Sequence, residues 1–129
     1  MKTIKLKVNY RDRRGKITDM IEGESINAVT KVTFNKGAIR GNHFHKKTIQ
    51  YNYLLTGKIK LLTQTGKEKI KKTIVKSKSL FVIFPNEKHA FEAMENSELM
   101  VFTRGPRGGK EYESDTFRLE KPLIKKTTT

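Results

Sequence analysis

The sequence predicts an all-β fold, a sandwich or barrel, on three observations. Apolar and polar residues alternate with a period of two in segment after segment. Glycine, asparagine, proline and charged turn residues interrupt the chain roughly every eight to twelve residues. No stretch of ten or more residues carries a helical period.

The elements follow in order. Residues 4–10 place Ile4, Leu6, Val8 and Tyr10 on one face and Lys5, Lys7 and Asn9 on the other, as in a half-buried strand. Residues 11–15 read as a turn and 16–21 as a return strand. Residues 28–34 are apolar and β-branched, and Asn35-Lys-Gly37 turns into a segment holding His43 and His45. Residues 50–55 and 58–63 form a hairpin around Thr56-Gly57. Another strand covers 70–75, and the strongly apolar run 80–84 predicts a buried one. Residues 89–94 and 99–103 are two more strands. A glycine-rich loop with Arg104 and Arg107 precedes residues 111–119, read as a short extended segment. Residues 1–124 form one domain, and 125–129 a frayed tail.

A chain of 129 residues can bury one real core. It has no cysteine, which excludes disulfides and thiolate metal sites, and no apolar run near the roughly 18 residues of a membrane span. The expected setting is the cytoplasm, without a membrane partner. The net charge of +15 raises a nucleic-acid reading. Its distribution argues against one, because the lysines alternate with apolar residues in 4–8 and 58–61. That is the outer face of half-buried strands, and no basic helix or arginine-rich run accompanies it.

The three histidines, His43, His45 and His89, carry the chemistry. Side chains two apart on a strand share a face, so both imidazoles of His43-Phe-His45 can look into one cavity. Gln50 follows after a short polar break, and His89 lies just beyond the apolar strand. Counting by twos puts Asn52 on the face of Gln50 and Phe91 on the face of His89, and turns Tyr51 and Tyr53 away toward packing or a dimer contact. Neutral imidazoles either ligate a divalent ion or shuttle a proton. Both uses stay open, as does orientation of a histidine ring by Gln50 in place of ligation.

The spacing Gly37, His43, His45, Gln50, Gly57 resembles the first cupin motif, with glutamine where glutamate is usual. Residues 80–84, Pro85 and His89 resemble the second motif, without its usual glycine. The resemblance implies a cupin double-stranded β-helix, or jelly roll, with its pocket inside the barrel. Arg40-Gly-Asn-His43-Phe-His45-Lys46 is similar to the string of dTDP-4-keto-6-deoxyhexose 3,4-ketoisomerases, and Arg40-Gly-Asn-His43 also to that of dTDP-4-dehydrorhamnose 3,5-epimerases. Residues 112–119, with Tyr112, Asp115 and Arg118, are similar to the ketoisomerase ending.

The resemblance implies an isomerase or epimerase acting on a nucleotide-linked keto-deoxy sugar for surface polysaccharide. His43 and His45 then carry protons, and Arg40 with Lys46 or Lys47 holds the diphosphate. Asn52 and Phe91 contact the sugar. If a metal binds, His43, His45, His89 and Gln50 ligate one weakly held Zn, Ni, Mn or Fe ion; no organic cofactor is required. The glutamine removes a charge from the ligand set, which disfavours an iron oxygenase. The alternative is a metal-binding cupin of non-catalytic role. The clean apolar face of 4–10 leaves an edge to cover, so a homodimer is expected.

Overall fold

The computed structural model of the chain describes residues 1–106 and 110–125. Two five-stranded sheets face each other. One runs in the order β1 (Lys2–Ile4), β9 (Leu80–Ile83), β6 (Ile49–Thr56), β11 (Ser97–Arg104) and β4 (Ala28–Phe34). The other runs β12 (Phe117–Arg118), β5 (Ile39–Phe44), β10 (Glu87–Ala93), β7 (Lys58–Thr65) and β8 (Lys71–Lys76). From β4 to β7 the chain alternates between the sheets at every step, and again from β8 to β11, which winds it into a jelly roll. The turn from β6 to β7 requires Gly57, at φ +97, since a side chain there would overlap Ser97.

Alternation drives the burial. Gln50, Asn52 and Leu54 of β6 point inward, as do Ile59, Leu61 and Thr63 of β7 and Leu99, Val101 and Thr103 of β11. All four residues of β9 are buried. Its inner face joins the core through Phe81 and Ile83, while its outer face lies under a cover that includes Ile4, Met20 and Ile21.

The core is graded from one end to the other. Leu54, Asn52 and Gln50 succeed one another along β6, opposite Leu99, Val101 and Thr103 of β11. Ala93, Phe91 and His89 do the same along β10, opposite Ile59, Leu61 and Thr63 of β7. One end of the barrel is therefore hydrocarbon and the other is polar, a direct consequence of where the apolar run of each strand stops.

Three sequence expectations are corrected. Residues 4–10 do not form one strand: Lys2–Ile4 pairs with β9, and a hairpin of β2 (Tyr10–Asp12) with β3 (Gly15–Ile17) folds on itself. Val8 and Tyr10 remain exposed, as does Ile17, the residue paired with Tyr10. The return strand at 16–21 ends at Ile17. Residues 111–119 are not extended throughout, since α1 (Lys110–Ser114) precedes β12. Backbone bonds from Asp115 and Thr116 N–H to Tyr112 and Glu113 carbonyls close that turn. Of the expected tail, residues 126–129 lie outside the described residues. Ile124 is buried and bonded at both N–H and C=O to Asn42.

A bulge sets the face of β5. His43 pairs with His89 and Gly41 with Ala90, leaving Asn42 as an extra residue with φ 57 beside Gly41 at φ 91. Arg40 pairs with Phe91, so it shares the inward face with His43 although the two are an odd number of residues apart. A Cβ on Gly41 would lie 2.9 Å from the His89 carbonyl oxygen and 3.2 Å from Ala90 Cα. Gly41→Ala is expected to lower stability by about 2–3 kcal/mol in urea unfolding, combining backbone strain with the clash. Gly66→Ala, where φ is also positive but nothing lies within 4 Å, should lose only the backbone share, about 1 kcal/mol.

Candidate active site

The polar end of the barrel holds the three imidazoles together. Ring centroids are 4.7 Å apart for His43 and His45, 4.7 Å for His43 and His89, and 5.5 Å for His45 and His89. His43 comes from the end of β5, His89 from β10 directly across from it, and His45 from just past the end of β5. A cavity of about 270 Å³ opens beside them. Its polar lining includes Arg40, His43, Gln50, Asn52, His89 and Tyr112, and its apolar wall Val32, Phe34, Phe91, Leu99 and Val101.

Hydrogen bonds assign the tautomers. His45 Nδ1 lies 3.0 Å from the Asp115 carbonyl oxygen, and His89 Nδ1 lies 3.0 Å from the Glu87 carbonyl oxygen. A carbonyl can only accept, so each Nδ1 carries a proton. Burial pushes His89 from 6.5 down to about 3, with the His43 charge adding to it. Burial pushes His43 from 6.5 to about 4, helped by repulsion from His45 and Arg118. Both are neutral at pH 7.

The expected sugar-contacting residues assemble only in part. Arg40, Asn52 and Phe91 line the cavity with His43, Gln50 and His89. Asn52 is almost fully buried and donates to the Gln50 carbonyl oxygen. Arg40 is held at the rim, its guanidinium over the Phe34 ring and bonded to the Thr33 carbonyl oxygen. Lys46 is elsewhere: it is exposed, with its ammonium 4.4 Å from the Phe117 ring centroid. Tyr51 faces the outer groove, as the period of β6 requires. Arg104 pairs with Glu24 at 2.9 Å, and Arg107 lies outside the described residues.

Two contributors had no role assigned from sequence. Tyr112 lines the cavity with its ring 5.4 Å from that of His45. Asp115 is buried, and its carboxylate accepts from the Lys46 and Lys47 N–H groups and from Thr48 Oγ1. Burial raises its pKa, but these hydrogen bonds outweigh that and hold the carboxyl below the usual range. Only the likeness of the ending at 112–119 hinted at either residue.

The polysaccharide biosynthesis C-terminal domain family matches residues 10–117. The chain belongs to that family. No curated protein matches it. Among solved structures, this family member is similar to QdtA, a sugar 3,4-ketoisomerase from Thermoanaerobacterium thermosaccharolyticum in complex with TDP. Identity is 26% with a TM-score of 0.73, covering 92% of this chain and 87% of that one. The TDP-quinovose 3,4-ketoisomerase WlaRB of Campylobacter jejuni shares the fold at 18% identity and TM-score 0.75, with 91% of each chain covered. So does a dTDP-4-dehydrorhamnose 3,5-epimerase from Sulfolobus tokodaii, at 16% identity and TM-score 0.65, covering 84% and 78%. The cupin jelly roll is thereby shown. Among the described residues no helix is long and apolar enough to cross a membrane.

The cupin fold implies a divalent ion, and the donors of this family member fit one in kind. The three histidines offer ligand nitrogens within 4.8 Å of one another. Two nitrogens each about 2.1 Å from an ion stand at most about 4.2 Å apart, so the rings have to draw in slightly. His43, His45 and His89 would hold the ion, His45 and His89 through Nε2. It would supply Lewis acidity at a carbonyl oxygen.

The neutral histidines make stability depend on pH. Their folded pKa values, about 4 and about 3, lie below the 6.5 of the unfolded chain. Their stabilisation is therefore complete above 6.5 and is lost as pH falls through 6.5 toward those values. Each should remove about 1.4 kcal/mol per pH unit below that point. Urea unfolding between pH 7 and pH 5, a window above the Asp115 range, should show this fall, and His89→Gln should flatten it.

Proposed function

We propose that the protein is a sugar-nucleotide isomerase, converting a nucleotide-linked 4-keto-6-deoxy sugar into its 3-keto isomer for surface polysaccharide. The observation that carries this reading is a neutral His43 facing a cavity that is apolar on one wall and polar on the other. Support comes from the likeness to a sugar 3,4-ketoisomerase in complex with TDP. The cavity, about 270 Å³, is at the small end of ligand sites, which run from roughly 300 Å³ upward. It suits the sugar, leaving the nucleotide to lie outside.

The chemistry is two proton transfers through an enediol. A base removes the proton on C3, which the neighbouring C4 carbonyl acidifies, and an acid delivers a proton to O4. O3–H then loses its proton and C4 gains one, leaving the ketone at C3. His43 faces the substrate as the base. His45, whose ring packs against that of His43, is the second proton carrier. Gln50 and Asn52 hydrogen-bond the sugar hydroxyls, and Phe91 packs on its apolar side. Arg40 at the rim meets the diphosphate through its planar fork.

A second reading rests on the histidine cluster itself: a metal-binding cupin of non-catalytic role. The reading also includes a cytoplasmic homodimer, in which a second copy covers exposed Val8, Tyr10 and Ile17.

Incubation with dTDP-4-keto-6-deoxyglucose in deuterium oxide is expected to yield the 3-keto isomer, with deuterium entering at C4 of the product. Deuterium entering at C5 instead would move the assignment to a 3,5-epimerase. No exchange with TDP-, UDP- or GDP-linked keto sugars would overturn the reading. A tightly bound ion in elemental analysis of that inert protein would favour the second one. His43→Asn is expected to reduce kcat by about 10²–10⁴ with the circular dichroism spectrum unchanged. Sedimentation velocity should give a dimer.

A further inference from the structure

We infer that Asp115 is the positioning residue of the site, holding His45 in the tautomer that directs Nε2 to the histidine cluster. The inference rests on His45 carrying a proton in the reaction. His45 lies outside the regular pairing of β5, so the sheet does not fix its ring as it fixes His43. What fixes it is the segment after α1. The Asp115 carbonyl oxygen takes the His45 Nδ1 proton at 3.0 Å. The carboxylate of the same residue reaches back to the loop that follows His45. It accepts from Lys46 N–H at 3.1 Å, from Lys47 N–H at 3.1 and 3.2 Å, and from Thr48 Oγ1 at 2.7 Å.

The two halves of Asp115 thus act together. The side chain clamps residues 46–48 to the segment, and the clamp brings the main-chain carbonyl against the imidazole. The segment is itself held, by Thr116 Oγ1 donating to the Tyr112 carbonyl oxygen and by Phe117 stacked on Phe44. His45 is 2% exposed, so water cannot replace the lost acceptor freely. Removing the clamp should free the ring to exchange its proton between Nδ1 and Nε2. The Asp115→Asn variant would keep most of the clamp, because Thr48 Oγ1 can turn to accept from an amide.

The experiment is long-range proton–nitrogen NMR of the histidine rings in the full-length protein, paired with steady-state kinetics. In the wild type, His45 should be the Nδ1–H tautomer. In Asp115→Ala a mixture of tautomers is expected, with kcat lowered about 10–100-fold and KM within about twofold. Asp115→Asn should restore the single tautomer and most of the turnover. Thr48→Val, which removes one bond of the clamp, gives an intermediate shift and serves if Asp115→Ala does not fold. An unchanged His45 tautomer in Asp115→Ala, or in Thr48→Val where that variant stands in, overturns the inference. A shifted tautomer in a protein inert toward every nucleotide keto sugar would uphold the positioning role while removing the proposed reaction.

Discussion

The antiparallel pairing of β5 with β10 sets His43 directly opposite His89, and the rest of the site depends on that register. The two residues are far apart in sequence and meet only because the chain alternates between sheets. A slip of one residue would turn His89 to the outside and Ala90 to the cavity. The Gly41–Asn42 bulge holds the register in place. Gly41 lets the β5 backbone approach the His89 carbonyl, and Asn42 ties the segment near Ile124 to the outer edge of the same strand.

Concentrating polar groups at one end of a barrel this small is a compromise. Buried imidazoles, amides and hydroxyls stabilise nothing unless hydrogen-bonded, and each one displaces an apolar contact. The opposite end compensates with Leu54, Ile59, Leu61, Phe81 and Leu99, all almost fully buried. Depression of the His43 and His89 pKa values expresses the same compromise electrostatically. Burial keeps the imidazoles of His43 and His89 neutral, and neutral imidazoles are the form that can accept a proton or bind a cation.

Much of the fold was legible in the sequence because half-buried strands leave a period of two. The strand at 28–34 coincides with β4, and Gln50, Asn52 and Phe91 face the cavity as counting by twos requires. Where the count failed, a specific physical event intervened. At residues 4–10 the alternation is clean, yet Lys2–Ile4 pairs with β9 while Tyr10 belongs to a separate hairpin with β3. At Arg40 the bulge reverses parity, which alternation alone cannot register. Within residues 111–119 the chain first completes the helical turn α1, closed by the Asp115 and Thr116 N–H groups, before β12 begins. Lys46, adjacent to a histidine in sequence, stacks on Phe117 because His45 has already left the strand.

The sequence by itself determined the all-β class and the histidines as the chemical centre, since these follow from local periodicity and residue type, while the jelly roll was implied by the resemblance of its motifs to those of cupins. Tertiary structure alone decided that Asp115 and Tyr112 complete the site, that the barrel is hydrocarbon at one end and polar at the other, and that Nδ1 of His45 and of His89 each meets a carbonyl oxygen. Those facts arise from contacts between residues distant along the chain. No local pattern encodes such contacts, because each depends on how several strands stop and turn at once.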